Sequence, residues 1–418
     1  MNILVIGSGG REHAVTRAFS KSPLVKKLFC APGNAGTQQI AQNIQLDLKK
    51  HVDVLKCCIE HQIDFVFIGP EDPLVDGLSN TLRQANIAVF GPSKEAAQLE
   101  GSKIFAKEFM NGAQVPTAFS VAVGSVEATL AAAPQFKTPY VLKADGLAAG
   151  KGVFICADLN ELKFAAESLF VKKIFGQAGF TALLEQNLPG YELSFLVLTN
   201  GDDYEALPIA QDHKRLLDAN LGPNTGGMGT IAPMQIPDTL RAQILERVVA
   251  PSIAELKKRD FIFRGVLFIG LMIVDNEPYV LEYNVRFGDP ETQVILPLLK
   301  NDIASLFYEL AEGRLQPLQM NGLSACCVVN AAAGYPDIPV KETPMTLPPD
   351  TTSQYVLHAG TKKTADGILR SNGGRVLNVM GLAESLSEAI QKAYAQNSEI
   401  KFDGRQFRND IGSNNPLK

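Results

Sequence analysis

Short apolar segments alternate with helix-forming segments through the first hundred residues, and this alternation constrains the fold more than any other feature. Buried strands are predicted at residues 3–6, 27–31, 64–68 and 88–90. A helix is predicted over residues 11–20, directly after a glycine turn. Strands separated by helices pair in parallel, so we predict an α/β fold with a doubly wound parallel sheet and ligand groups at the strand ends.

The rest of the chain divides into further units. A long helix is predicted from Ser93, as its N-cap, through Asn111, with Gly112 ending it. New units begin near Pro116 and Pro208, and an αβ unit closes the chain. We therefore predict three domains, residues 1–104, 105–316 and 320–418, with residues 116–190 forming a mobile lid within the second.

The composition excludes several classes of function. The chain has 418 residues and a formal net charge of -5, so it has no basic surface for nucleic acid. The longest apolar run is too short to span a bilayer, which needs roughly 20 residues. The six cysteines form no C-x-x-C pair and are predicted to be buried thiols. The N-terminus has no signal-peptide pattern, and we expect a cytoplasmic location.

The first glycine loop, Gly7-Ser8-Gly9-Gly10-Arg11-Glu12-His13, follows a strand and opens a helix. A dinucleotide site would need a glycine where Glu12 stands and an acid after the second strand, so the oxidoreductase interpretation fails. A helix N-terminus beside Arg11 favours a phosphate group, although a tight turn used only for packing is the alternative. Substrate contacts are predicted at two strand ends, at Gly10, Arg11, Glu12 and at Gly69, Pro70, Glu71.

A second glycine-rich loop runs from Lys143 to Gly152. It is one residue short of a Walker A loop and has glycine in place of the Ser or Thr that binds magnesium, so a P-loop ATPase is disfavoured. A glycine hairpin between strands would instead close over a triphosphate, because glycine lets backbone amides approach phosphate oxygens. Predicted ATP-binding residues here are Lys143, Asp145, Gly146, Gly150, Lys151 and Gly152.

Two further segments are predicted to contact ATP. Lys103 is a possible second cation, with a solvated helix face as an equal alternative. The segment containing Glu185, Gln186 and Leu188 is predicted to be a strand-to-loop hinge whose backbone reads adenine. Glu192 is predicted to accept hydrogen bonds from ribose hydroxyls.

The most specific local signal lies in Glu282-Tyr283-Asn284-Val285-Arg286. Strands alternate their faces, so Glu282, Asn284 and Arg286 share one face. A carboxylate and an amide oxygen beside a guanidinium are costly to bury for no purpose, but they suit Mg²⁺ next to an anion clamp. A solvent-facing polar edge is the structural alternative.

The segment Gln211-Asp212-His213-Lys214-Arg215 adds an acid and a cation, and a loop after it adds amides that are expected to be exposed. That loop contributes the predicted substrate-binding residues Asn224, Thr225, Gly226 and Gly227. His213 is interpreted as structural more readily than as an acid or base. The sequence contains no serine elbow and no sensible Cys–His pair, so the site is expected to act through positioning and charge.

These motifs together resemble the phosphoribosylamine–glycine ligase family over essentially the whole chain. The stretch Arg286-Phe287-Gly288-Asp289-Pro290-Glu291-Thr292-Gln293 carries much of the resemblance, with Ala31-Pro32-Gly33-Asn34 and Asn372-Gly373-Gly374-Arg375. The resemblance implies an ATP-grasp fold between an N-terminal parallel-sheet domain and a C-terminal αβ domain. It also implies ligation of glycine to 5-phosphoribosylamine through glycyl phosphate.

Several residue roles are implied by this resemblance. It assigns Mg²⁺ or Mn²⁺ to Glu282 and Asn284, and catalytic roles to Arg286, Asp212 and Lys214. Arg286 would clamp the glycine carboxylate or the acyl phosphate, and Asp212 would hold an amine. The expected partners are the small-molecule substrates alone, with neither nucleic acid nor membrane, and the expected state is a monomer or weak homodimer.

Two other functions remain open at this point. Another ATP-grasp carboxylate–amine ligase of purine metabolism would differ in its acid substrate, so glycine would have to be compared with bicarbonate and formate. A non-catalytic nucleotide-binding module would release no ADP in the presence of all three substrates.

Overall fold

The computed structural model describes residues 1–148 and 152–413. Its first unit builds a parallel sheet in the order β5-β4-β1-β2-β3, because short apolar strands are separated by helices that cover their faces. This confirms the predicted parallel sheet. The strands are β1 (Asn2–Gly7), β2 (Lys27–Pro32), β3 (Gln42–Asn43), β4 (Phe65–Ile68) and β5 (Ala88–Pro92). The helices are α1 (Gly10–Phe19), α2 (His51–Glu60), α3 (Glu71–Asp76), α4 (Leu78–Gln84), α5 (Lys94–Gly101) and α6 (Lys103–Gly112).

The single long helix predicted from Ser93 to Asn111 is wrong, since α5 and α6 are separate helices. Ser93 caps α5 as predicted, accepting a hydrogen bond from the Ala96 amide. Ser102 then adopts an extended conformation (φ -142°, ψ 119°) and accepts from the Phe105 amide, which makes it the N-cap of α6. The chain therefore turns between them, and α6 begins at Lys103.

A four-stranded antiparallel sheet, ordered β6-β9-β7-β8, forms the next unit. It has its own apolar core, in which Leu142 and Leu184 of the sheet meet Leu162 of a covering helix. The strands are β6 (Ser120–Val123), β7 (Tyr140–Ala144), β8 (Val153–Cys156) and β9 (Ala182–Gln186), and the helices are α7 (Val126–Ala132) and α8 (Leu159–Phe170). A separate core is what a subdomain needs in order to move as a unit.

Long antiparallel strands extend the parallel sheet of the first unit. Strand β16 pairs with β5, placing Phe263 opposite Pro92 and Arg264 opposite Gly91, so the two sets form one nine-stranded sheet. The strands of this part are β10 (Tyr191–Thr199), β11 (Tyr204–Ala206), β12 (Gln211–Asp212), β13 (Arg215–Leu217), β14 (Leu221–Asn224), β15 (Gly229–Ala232), β16 (Phe263–Val274) and β17 (Glu277–Asn284). Its helices are α9 (Asp238–Ile244), α10 (Ala250–Lys258), α11 (Glu291–Ile295) and α12 (Ile303–Ala311), with a π-helical turn at Leu245–Val249.

The last unit is built on an antiparallel sheet ordered β12-β15-β18-β23-β20. Two of its five strands, β12 and β15, precede residue 316, so this sheet crosses the proposed boundary between the second and third domains. The remaining elements are β18 (Ser324–Ala331), β19 (Met345–Thr346), β20 (Gln354–His358), β21 (Thr361–Lys363), β22 (Leu369–Ser371), β23 (Arg375–Ala383), α13 (Leu386–Ser398) and β24 (Lys401–Phe402). The division into three domains stays a proposal.

Two further expectations concern the whole chain. All six cysteines are free thiols buried in the protein, as predicted. Within residues 1–148 and 152–413, no helix combines the length and apolar character that crossing a membrane requires.

Candidate active site

Three side chains from the end of β17 lie together, as the alternation of the strand predicts. One continuous strand was predicted through this segment, but the strand ends at Asn284 and residues 285 and 286 form a bend. The Arg286 Nη2 atom donates to the Asn284 Oδ1 atom over 3.3 Å, and Glu282 is exposed on the same stretch. The predicted shared face is therefore present.

Arg286 is held by carboxylates from two helices of the first unit. Its guanidinium lies 2.7 Å from Glu100 of α5 and 3.3 Å from Glu71, the first residue of α3. Glu100 also accepts from the Val285 amide over 2.8 Å, which ties α5 to the end of β17. Burial raises the pKa of Glu100 to about 7, although Arg286 opposes this. Burial alone would lower the pKa of Arg286, but the two carboxylates raise it, so the guanidinium stays charged.

Glu282 and Asn284 offer one carboxylate and one amide oxygen to a divalent cation. Among the described residues, no group of three or more His, Cys, Asp or Glu side chains could hold a metal ion. A cation here would therefore have only a small protein ligand set and would take its other oxygens from water and phosphate, which is the arrangement Mg²⁺ favours. The residues present fit such an ion.

Lys143 lies beside this strand, and its ammonium is buried. Its Nζ atom is 3.3 Å from the Leu281 carbonyl and 2.5 Å from Glu185 Oε2 on the neighbouring strand β9. The other Glu185 oxygen lies 2.9 Å from the Nζ atom of Lys107 on α6. Burial alone would raise the pKa of Glu185, but the two lysines lower it, so the carboxylate is charged between two ammonium groups.

The glycine-rich loop is anchored to the start of α6. Asp145 accepts from the Ser102 hydroxyl over 3.0 Å and from the Ile104 amide over 2.8 Å, so its carboxylate caps the helix. Lys103 Nζ donates to the Gly146 carbonyl over 3.3 Å, which places this lysine at the loop. Gly152 pairs with the strand through its carbonyl, which accepts from Ala144. The predicted contacts at Gly150 and Lys151 lie outside the described residues.

The predicted adenine hinge follows Glu185 directly. Gln186 is exposed and is the last residue of β9. Its backbone N–H donates to the Phe119 carbonyl over 2.9 Å. Leu188 is half-buried in the turn that leads to β10. Glu192, near the start of β10, lies within the electrostatic field of the site: desolvation raises its pKa, helped by Glu282 and opposed by Lys214.

A second acid–base cluster consists of Asp212, Lys214 and Glu291. Lys214 Nζ is 2.9 Å from Asp212 Oδ2. Glu291, at the start of α11, is buried and accepts from the Ser194 hydroxyl over 3.1 Å. Burial raises the pKa of Glu291 and the charge of Asp212 raises it further. Burial alone would lower the pKa of Lys214, but Asp212, Glu291 and Glu192 raise it.

The loop that follows was expected to expose its amides, and the structure shows that three of them already donate within the protein. Thr225 donates to the Lys214 carbonyl, Gly226 to the Tyr335 hydroxyl and Gly227 to the Thr225 hydroxyl. Asn224 ends the preceding strand and is exposed. Gly227 has φ +114° and a side chain there would lie 2.6 Å from Asp212 Oδ1, so this position requires glycine.

The first glycine loop is also filled by protein groups. The buried Glu12 accepts from the Gly9 amide and from Arg11 Nε, each over 2.6 Å. The Arg11 amide donates to Asp289 Oδ2 over 3.2 Å, and Gly10 packs against the Asn378 amide group. A phosphate at this helix N-terminus would have to compete with two carboxylates, because the Gly9 and Arg11 amides already donate to Glu12 and Asp289.

Arg11 nevertheless reaches the site. Its Nη1 atom donates to the Phe287 carbonyl over 2.8 Å, next to Arg286. Gly69 lies against Glu12, because a side chain there would come within 1.9 Å of Glu12 Oε1. Pro70 is the N-cap of α3 and positions Glu71 at its first turn. The first unit thus contributes to the same centre as β17.

His213 is structural, as the sequence suggested. Its Nδ1 atom is 3.1 Å from the Gly229 carbonyl, and its Nε2 atom accepts from the Gly412 amide over 3.2 Å. Burial lowers its pKa. Both ring nitrogens therefore have protein partners.

Sequence reasoning gave no role to Glu100, Lys107, Asp289 or Arg375. Arg375 donates to the Asp289 carbonyl over 2.5 Å and to the Gly226 carbonyl over 2.6 Å, which connects β23 to the loop at Gly226 and to the segment before α11. Lys107 had a usable signal, because it lies four residues after Lys103 and so on the same helix face. The other three are brought in by contacts between distant segments.

The comparison with family models covers most of the chain. The N domain of phosphoribosylglycinamide synthetase matches residues 1–100, its ATP-grasp (A) domain residues 101–292 and its C domain residues 325–414.

Curated relatives match over the full length. The phosphoribosylamine–glycine ligase of Caldanaerobacter subterraneus subsp. tengcongensis is 38% identical, covering 99% of this chain and 100% of that protein. The ligase of the same name from Rhizobium meliloti is 42% identical over 99% of this chain and 98% of that protein.

Solved structures give the same picture. The phosphoribosylamine–glycine ligase of Thermotoga maritima has a TM-score of 0.87 and 36% identity, and the match covers 98% of this chain and 100% of that one. The biotin carboxylase domain of the Hydrogenobacter thermophilus 2-oxoglutarate carboxylase, solved with ADP as its magnesium salt and with bicarbonate, has a TM-score of 0.75. It is 18% identical, with 97% of this chain and 91% of that chain covered, and shares the fold alone.

Proposed function

The chain belongs to the phosphoribosylglycinamide synthetase family, and on that premise we propose that it ligates glycine to 5-phosphoribosylamine. The reaction consumes ATP and gives glycinamide ribonucleotide, ADP and phosphate. The protein is an ATP-grasp carbon–nitrogen ligase of purine biosynthesis. The finer assignments that follow, including the cytoplasmic location and a monomeric or weakly dimeric state, belong to the same proposal.

The convergence of charged groups at the end of β17 supports this function most directly. Lys143 reaches the backbone of this strand from the lid, and Arg286 is fixed two residues beyond Asn284 by carboxylates of the first unit. Transfer of a phosphoryl group needs such preorganised cations, because the enzyme acts mainly through positioning and charge. Glu282 and Asn284 would hold Mg²⁺ or Mn²⁺, which would neutralise the nucleotide phosphates when bound.

In the first step, a glycine carboxylate oxygen attacks the γ-phosphorus of ATP, and the bond from that phosphorus to the β-phosphate oxygen breaks. This gives glycyl phosphate and ADP. Lys143, Lys103 and the amides of the glycine-rich loop would bind the phosphate oxygens, and the hinge at Glu185, Gln186 and Leu188 would hold the adenine. Arg286 offers a planar fork of N–H donors that matches a carboxylate or an acyl phosphate.

In the second step, the ribosylamine nitrogen attacks the carbonyl carbon of glycyl phosphate, and phosphate leaves. The amine loses a proton in this step. Asp212, with Lys214 and Glu291 beside it, is our candidate for the group that holds the amine. Closure of the lid would exclude water, which would otherwise hydrolyse the mixed anhydride.

An ADP-release assay with the whole chain tests this function. We expect release to require glycine and 5-phosphoribosylamine together with ATP and a divalent cation. Replacing glycine by bicarbonate or formate should abolish it. Release that depends on bicarbonate or formate would favour another ATP-grasp ligase, and the absence of release with all substrates would favour a nucleotide-binding module.

A further inference from the structure

Lys107 is a buried lysine with no assigned role, and it lies behind the proposed nucleotide site. Only 5% of its surface is exposed, on a helix whose neighbouring residue Glu108 is open to solvent. The Nζ atom is 2.9 Å from Glu185 Oε1, 2.6 Å from the Thr117 hydroxyl and 2.9 Å from the Ala118 carbonyl. Of the three N–H donors of the ammonium group, two form the hydrogen bonds to Thr117 and Ala118, and its charge is paired with Glu185. Among the described residues, protein groups therefore surround the Lys107 ammonium.

Lys143 differs from Lys107 in this respect. Its Nζ atom contacts Glu185 Oε2 and the Leu281 carbonyl, which accounts for two of its three donors. It is also within the electrostatic field of Glu282, the proposed metal ligand. Among the described residues, Lys143 therefore has fewer polar partners than Lys107 and is the better placed of the two to donate to a phosphate oxygen.

The charges of this buried trio do not cancel. Two lysines and one glutamate leave one positive charge, which is located at Lys143 because Lys107 is enclosed. Without the charge of Lys107, Glu185 would neutralise Lys143 on its own. In a desolvated site this difference is large, because electrostatic interactions are stronger there than in water.

We propose that Lys107 is a positioning residue of the nucleotide site, which neutralises Glu185 so that Lys143 keeps its charge for the phosphates of ATP. The inference rests on the proposed function and deepens it. A tether role is the alternative, because Lys107 also fixes Thr117 and Ala118 ahead of β6. The two roles respond differently to removal of the Glu185 charge.

The test uses the whole chain and ADP with Mg²⁺ as the probe, measured by isothermal titration calorimetry. Lys107→Met should raise the Kd by at least tenfold and the KM for ATP in parallel, with the KM for glycine changed less than twofold. The double variant Lys107→Met/Glu185→Gln removes both charges but keeps the hinge backbone that would contact adenine, and its Kd should be at least threefold lower than that of Lys107→Met. Glu108→Gln, on the same helix, is the matched control, and its Kd for ADP should stay within twofold of the wild-type value.

Two outcomes would overturn the inference. One is a Kd for Lys107→Met within twofold of wild type, and the other is a double variant that binds ADP no better than the single variant, as a tether role requires. Should Lys107→Met fail to fold by circular dichroism, Lys107→Gln takes its place with the same expectation, since its amide can still donate to Glu185. A wild-type chain that binds no ADP would contradict the proposed function instead.

Discussion

Arg286 and Glu100 form an ion pair of 2.7 Å that joins the end of β17 to helix α5 of the first unit. Glu100 makes a second contact to the same segment, through the Val285 amide. The orientation of the Arg286 guanidinium is thereby fixed by Glu100, which belongs to another unit of the chain. Its fork geometry, in addition to its charge, should matter for activity.

We therefore expect Arg286→Lys to lower kcat/KM for glycine by roughly 100-fold, because lysine keeps the charge but loses bidentate binding. Steady-state kinetics with glycine varied measures this. Arg314→Lys is the control, because Arg314 is exposed and pairs with Glu309 at the surface. An Arg286→Lys enzyme with parental kcat/KM would contradict the clamp.

The metal ligands make a separate prediction. Glu282→Gln should leave the thermal midpoint of unfolding unchanged but lower kcat by roughly 100-fold or more, because a metal ion supplies several kcal/mol of transition-state stabilisation. The rate should be measured while Mg²⁺ and Mn²⁺ are titrated, since weaker binding would shift the half-saturating concentration upwards. Glu277→Gln, at the start of the same strand and paired with Arg247, is the control. Equal kcat and metal dependence in parent and variant would remove Glu282 from the site.

A backbone position provides a third prediction. Gly227 has φ +114°, and an added Cβ would lie 2.6 Å from both Asp212 Oδ1 and Pro290 Cδ. Gly227→Ala should destabilise the fold by at least about 1 kcal/mol and lower kcat, because relief of the contact displaces the Asp212 carboxylate. Urea unfolding and turnover are the measurements. Gly124→Ala, where no atom lies within 4 Å of an added Cβ, should change neither, and an active, fully stable Gly227→Ala would contradict the geometry.

The pH dependence of stability provides a fourth prediction, from the pair His13 and His358. The His358 amide donates to His13 Nδ1 over 2.7 Å, and burial lowers the pKa of His13 from 6.5 to about 3 and that of His358 to about 4. Below pH 6.5 the unfolded chain binds protons that the folded chain does not bind. Stability from these groups is therefore complete above pH 6.5 and is lost as the pH falls towards 4 and then 3.

Urea unfolding between pH 7.5 and 4.5 measures this loss. His13→Asn retains an acceptor for the His358 amide but has no titratable group, so its stability should fall less steeply over the same range. Parallel curves for variant and parent would show that the His13 ring does not contribute to the acid sensitivity.

Local patterns in the sequence were sufficient for part of this structure. The parallel sheet follows from strand–helix alternation, and the common face of Glu282, Asn284 and Arg286 follows from the two-residue period of a strand. The break between helices α5 and α6 at Ser102 was not predicted, because good helix formers continue on both sides of it. Its signal was the pair Gly101-Ser102, a helix stop followed by an N-cap.

Contacts between distant segments explain what sequence reasoning could not reach. The Arg11 amide donates to Asp289, which is 278 residues away in the chain. The sequence of the first glycine loop alone therefore could not show that one of its amides already has a protein acceptor. Glu100 contacts Arg286 because α5 packs against β17, and Lys107 contacts Glu185 because α6 packs against β9. Neither packing arrangement can be inferred from the local sequence. The pairing of β15 with β18, which brings β12 and β15 into the last sheet, is another contact of this kind. The sequence of a short strand does not indicate which strand it pairs with.

The pairing of β5 with β16 also determines how the molecule can be divided. Gly91 and Pro92 of one unit lie opposite Arg264 and Phe263 of the next. A polypeptide beginning near residue 105 would leave Phe263 and Arg264 at the start of β16 without their strand partner, and unpaired strand groups promote self-association. Exchange of the first unit between relatives would thus have to preserve this strand pairing. Exchange of the four-stranded unit, which has its own core, would have to preserve the contacts of Asp145 and Glu185 with α6.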